Sequence, residues 1–223
     1  MIELLTVRTA DNVELDGALY MPTVEMPAWR RPILGIHGLT WNFYRGPMRW
    51  LGPAFAADGH PCLSLNMRDH DLEQPKEFEL SHYDLRAGIE YLVERFGRHP
   101  IVVGHGYACN KVASYAAQSD DDRIRCNVLT TLGSVKKYRP DIWDSVLQSA
   151  RRMQGDALVV QGAIDELIEP KARADDFVAA AQGCRVEVVH LGGGNHYFHG
   201  KEAELAREIV LWIAMTEKRG DRP

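Results

Sequence analysis

The chain has 223 residues, 45% hydrophobic and 26% charged, with a formal net charge of −5. That size suits one compact domain with a full core. The scattered acidic residues and the lack of any Lys/Arg-rich block exclude the electrostatic footprint of a nucleic-acid or anionic-membrane binder, so the expected partner is a small-molecule substrate.

The opening stretch MIELLTVRTADNVEL has no basic segment followed by an apolar run. No window approaches the roughly 18 apolar residues of a membrane span. A cytoplasmic protein is expected. Cys62, Cys109, Cys126 and Cys184 are widely spaced and form no CxxC pair, which predicts buried reduced thiols and neither disulfides nor a metal site. No cofactor is expected.

In chain order, residues 2–22 read as a hairpin turning at Asp11-Asn12. Strand-like and helix-like segments then alternate. Strands are predicted at Ile33–His37, Cys62–Met67, Ile101–His105, Arg125–Leu132, Ala157–Gln161 and Val186–Leu191. Helices are predicted at Met48–Ala57, Tyr83–Phe96, Tyr107–Gln118, Ile142–Met153, Pro170–Ala181 and Glu202–Thr216. In YDLRAGIEYLVERF the apolar residues recur at three and four, an amphipathic helix lying on a sheet. Apolar strands in a βα alternation predict an α/β fold with a mostly parallel sheet of about eight strands, flanked by helices on both faces. The whole chain, 1–223, reads as a single domain, with at most a small helical cap around 135–155.

In such a sheet, chemistry gathers where loops leave the carboxyl ends of the strands. The loops there read HGLTWNFYRG, RDHD, GHGYA, GSVKK, GAIDELIEP and GGGNHYFHG in turn. A sharp strand-to-helix turn at Gly104–Ala108, then Asp165, then His196, is the chain order of a nucleophile elbow followed by an acid and a histidine. On these residues, and on HG after the first central strand, the chain resembles the α/β-hydrolase family over essentially its whole length. HGLTWNFY, NMRDHD and CNKV resemble more narrowly a subgroup of small hydrolases whose elbow reads GHS-x-G-CNKV. This chain departs from that pattern twice, with Gly106 at the serine position and Ala108 at the second glycine.

The resemblance implies a His196–Asp165 dyad. One ring nitrogen faces the reaction, while the carboxylate holds the other, fixes the tautomer and stabilises the imidazolium. It also implies an oxyanion hole made by the backbone N–H groups of Leu39 and Tyr107, which needs no side chain and survives loss of the serine. His37, Trp41, Tyr44, Arg45, Arg68, Trp143 and Tyr197 are the predicted substrate-binding residues. The bland alternative packs about half of the aromatic ones into the core and pairs the arginines with neighbours such as Asp69 and Asp71. Cys109, Ser134, Thr40 and Ser81 are poor substitutes for a nucleophile. With Gly106 at the nucleophile position, the expected function is an atypical enzyme. Its dyad and backbone hole would perform general-base chemistry on a small carbonyl substrate, through C–C bond reactions, cyclisation, elimination or water-mediated hydrolysis. The alternatives are a non-catalytic pseudoenzyme or binding protein, and a serine esterase or thioesterase carrying an engineered Ser-to-Gly change.

Overall fold

The structure is a computed structural model, and it describes residues 1–23, 30–70, 78–118, 125–133 and 140–220. Eight strands, β1 (Ile2–Arg8), β2 (Glu14–Tyr20), β3 (Ile33–Ile36), β4 (Cys62–Leu65), β5 (Ile101–His105), β6 (Cys126–Thr130), β7 (Gly155–Gly162) and β8 (Cys184–Leu191), form one sheet in the order β1-β2-β4-β3-β5-β6-β7-β8. The leading hairpin is antiparallel to itself and to β4, and every other pair is parallel. Asn12, a residue type that tolerates the left-handed region, closes the hairpin at φ 65°. The Thr9 hydroxyl accepts the Val13 N–H there at 2.9 Å.

Among the described residues six α-helices cover the sheet: α1 (Met48–Ala57), α2 (Ser81–Phe96), α3 (Ala108–Gln118), α4 (Pro140–Ala150), α5 (Pro170–Ala180) and α6 (Glu202–Gly220). The two-residue period of the strands assigns the layers. In β5, Val102 faces a core built with Leu85, Ile89, Val112, Val146 and Phe177 of α2 to α5. Its neighbours Ile101 and Val103 face the opposite core, built with Met48, Leu51 and Phe55 of α1 and Leu205, Ile209 and Trp212 of α6. Four helices therefore lie on one face and two on the other.

Several boundaries shift by a few residues from expectation, two of them for evident local reasons. The sixth strand stops at Thr130 because Thr131 turns away at φ 55°. Helix α3 begins at Ala108 because Gly106 takes the left-handed conformation and Tyr107 is spent on the turn. Within the stretch read as at most a small helical cap, Ile142, Trp143, Val146 and Ala150 put α4 into the core layer beside α3 and α5. Residues 135–139 of that stretch lie outside the described part.

Candidate active site

The β5–α3 turn is the centre of the carboxyl edge. Gly106 has φ 56°, a conformation in which a Cβ is strained and glycine is not, and its N–H donates to the Thr130 carbonyl at 2.8 Å. A Cβ on Gly104 would come within 3.2 Å of the Ala108 carbonyl carbon and the Cys109 nitrogen, so this glycine lets strand and helix approach closely. Ala108 is fully buried at that contact.

Two neighbouring loops bring the acid and the base together. After β7, the Asp165 Oδ1 accepts the backbone N–H groups of Leu167 at 2.8 Å and Ile168 at 3.2 Å, which pins the carboxylate. Its Oδ2 lies 2.8 Å from His196 Nδ1, and that contact is buried. A carboxylate only accepts, so Nδ1 carries the hydrogen and the far nitrogen, Nε2, is the basic one. The His196 loop is tied to the Asp165 loop by Ala163 N–H to the Leu191 carbonyl at 3.0 Å and Ile164 N–H to the Gly194 carbonyl at 2.9 Å. Asn195 folds it by accepting the Tyr197 and His199 N–H groups, and the fully buried Phe198 anchors it in the core. His196 itself is only 5% exposed.

A second imidazole, not singled out from the sequence, lies beside it. The ring of His105 is 5.5 Å from that of His196 and stacks on Trp41 at 5.3 Å. Its Nδ1 contacts the hydroxyls of Thr130 at 3.0 Å and Thr131 at 3.3 Å. Those hydroxyls donate to the carbonyls of Gly104 and Thr130, so Nδ1 is the donor toward them and Nε2 is left as a buried acceptor that no described group bonds. Burial, with the neighbouring His196, keeps the His105 pKa well below the usual imidazole value. Its only signal in the sequence is a polar residue ending an apolar strand.

His37 is taken up by the scaffold. Its Nδ1–H donates to the Gly38 carbonyl at 2.7 Å, and its Nε2 accepts the Met67 N–H at 3.0 Å. Both nitrogens are thus used inside the protein, and burial lowers its pKa to about 4. In a trans peptide the C=O and N–H point in opposite directions, so fixing the Gly38 carbonyl fixes the direction of the Leu39 N–H. Backbone strain also collects on this edge. Thr40, Thr131 and Phe198 have φ of 64°, 55° and 57°, at roughly 1–3 kcal/mol each.

The other predicted residues divide. Trp41 and Tyr197 are brought together at 4.9 Å, and Tyr197 meets the edge of His196 at 5.0 Å. Tyr44 and Arg45 stay exposed on the loop after β3. Arg68 is held by Asp84 and by Asp11, not by the adjacent Asp69, while Asp71 lies outside the described residues. Trp143 is 1% exposed and packed in the core, with Arg173 over its ring, so it is corrected from a pocket residue to a core residue. The Cys109 thiol donates to the Gly104 and Thr130 carbonyls, and burial pushes its pKa up. The Ser81 hydroxyl is spent on the Phe78 carbonyl, Thr40 is exposed, and Ser134 lies outside the described residues. Among the described residues no three His, Cys, Asp or Glu side chains converge to hold a metal ion, and no helix is long and apolar enough to cross a membrane.

A family profile described as the alpha/beta hydrolase fold matches residues 31–139. No curated protein matches the sequence. Among solved structures the chain is similar to Est1E from Butyrivibrio proteoclasticus, with TM-score 0.77, 16% identity, and coverage of 96% of this chain and 98% of that one. It is similar to dienelactone hydrolase from Anabaena variabilis, with TM-score 0.77 and 15% identity over 97% and 98% of the two chains. It is also similar to the Pyrococcus furiosus esterase Pf2001, with TM-score 0.75 and 14% identity over 97% and 93%. Identity this low speaks for the fold alone.

Proposed function

We propose, from the premise that this chain has the α/β-hydrolase fold, that it is an atypical enzyme of that superfamily. His196 and Asp165 act as a general-base dyad on a small carbonyl substrate without a covalent intermediate. The observation that carries the reading is the 2.8 Å contact between His196 Nδ1 and an Asp165 carboxylate that is itself fixed by two backbone donors. The position where a serine would attack is Gly106, so no acyl-enzyme forms there. A serine hydrolase without its nucleophile retains roughly 10³–10⁴-fold over water, too little for ordinary ester turnover. The same dyad with two backbone donors at Leu39 and Tyr107 suffices to remove a proton next to a carbonyl and hold the resulting oxyanion. With water as the reactant, His196 Nε2 takes one proton while the oxygen adds to the carbonyl carbon. The imidazolium then returns the proton to the leaving group. Structural neighbours that are named as esterases and as a dienelactone hydrolase share this fold, and a carbonyl substrate would be in keeping with them. The competing reading is a non-catalytic binder, favoured by the burial of His196 under Tyr197 and beside His105.

The test is hydrolysis of p-nitrophenyl acetate by the protein, by Gly106→Ser, and by Gly106→Ser with His196→Ala. The expected result is esterase activity gained with the serine and lost again with the histidine. If a folded Gly106→Ser protein gains nothing, the base and hole are not in working register and the binding reading takes over.

A further inference from the structure

Helix α3 carries a lysine where its amphipathic pattern buries it. Lys111 is 3% exposed and pairs with Asp69, itself 5% exposed, at 2.5 Å. Burial pulls the ammonium pKa down against the pull of Asp69. Replacing such a pair with packed apolar groups is often neutral or stabilising, so stability alone does not account for it. Its place in the chain does. Lys111 lies one turn after Tyr107 and its ammonium is 5.5 Å from the Tyr107 ring. Asp69 lies two residues after Met67, whose N–H holds His37 Nε2, and His37 Nδ1–H in turn holds the Gly38 carbonyl that aims the Leu39 N–H. Between them, Arg68 fastens the same turn to α2 by its own N–H and guanidinium on Asp84.

We infer that the Lys111–Asp69 pair is a positioning element that ties the elbow helix to the loop after β4 and, through Met67 and His37, to the loop carrying the other backbone donor, and so fixes the spacing of the Tyr107 and Leu39 N–H groups. This rests on the proposed oxyanion hole. An oxyanion needs both donors at once, and misplacing such a group by about 1 Å can cost on the order of 100-fold in rate. A hydrophobic contact at the same place slides, whereas a buried pair in a dry setting has one favourable geometry.

In the Gly106→Ser protein, the variant Lys111→Met/Asp69→Leu should keep or raise the melting temperature. It should lower kcat for p-nitrophenyl acetate about tenfold or more while KM changes less than twofold. Lys111→Arg, which keeps the pair, should restore most of the rate, and the exposed Lys171→Met should leave it unchanged. A folded double variant with undiminished kcat overturns the inference. Should the double variant not fold, Asp69→Asn, which keeps an acceptor and loses the charge, must show the same fall in kcat at constant KM. If Gly106→Ser has no His196-dependent turnover, the dyad reading fails separately, and crystal structures of the protein and the double variant decide. A change of about 1 Å in the separation of the Leu39 and Tyr107 nitrogens supports the pair as a spacer, and superposable nitrogens refute it.

Discussion

At the amino ends of the strands His60 is fully buried with both nitrogens bonded, Nε2 to the Arg30 guanidinium and Nδ1 to the Arg31 carbonyl, each at 2.8 Å. At the carboxyl ends His105 is as deeply buried, yet Nδ1 alone is bonded. The backbone shows the same asymmetry. Ahead of β4 and β5 and at the first residue of β7 a positive φ falls on Gly59, Gly97 and Gly155, which bear it without cost. Beyond β3, β6 and β8 it falls also on Thr40, Thr131 and Phe198, which do not. One end is built to be stable. The other holds a bare acceptor and strained side chains around an Asp–His pair, the pattern of a region arranged for something other than stability.

Breaking the amino end should therefore cost folding and spare chemistry. His60→Ala removes a hydrogen-bond partner of Arg30 in a cluster that also includes Asp58 and Glu217, with an expected loss of about 1–3 kcal/mol for the buried groups left unsatisfied. Urea denaturation measures it, and the activity per folded molecule should not move. A change in that activity would mean the two ends are coupled.

Acid should test the carboxyl end. His37 has a folded pKa near 4 against an unfolded value near 6.5. Between those values the unfolded chain binds the extra proton, so stability falls as the pH drops from about 6.5 to 4 and is level above. His37 alone contributes roughly 3 kcal/mol to that fall. His105 and His60 act in the same direction. His37→Gln cannot take up the proton, so it should flatten its share of the profile when denaturation midpoints are compared at pH 7 and pH 4.5.

The smallest effect sharpens the contrast in strain. Thr40→Gly should stabilise the protein by about 1 kcal/mol, because glycine accepts φ 64° freely. It should slow any activity that needs the Leu39 N–H held still. A destabilised variant would mean that the Thr40 side chain stabilises more than its backbone strain costs.

The elements that were legible are those whose signals are local. Apolar runs such as IVVG and the periodic YDLRAGIEYLVERF predicted β5 and α2, and the order of Gly106, Asp165 and His196 predicted which loops meet. What stayed hidden depends on partners distant in sequence. Arg68 is taken by Asp11, 57 positions away, and by Asp84 on another element, which no neighbour-based reading of RDHD suggests. Lys111 sits among the buried residues of α3 and shows its charge pairing only once the β4 loop is folded against it. Trp143 reads as a pocket residue because it follows the carboxyl end of a strand, whereas it lies in the same core as Phe177 with Arg173 over its ring.

The order of strands also sets a timetable. The central strand β3 is covered on one side by β4 and on the other by β5, and the loop bearing His196 follows the last strand of all. The hairpin, the Thr40 turn and the α3 elbow are therefore synthesised before His196, although a domain generally folds as a unit. The proposed base is present only once the closing β8–α6 segment has been made, so a nascent or truncated form lacking that segment lacks His196 and with it the partner of Asp165.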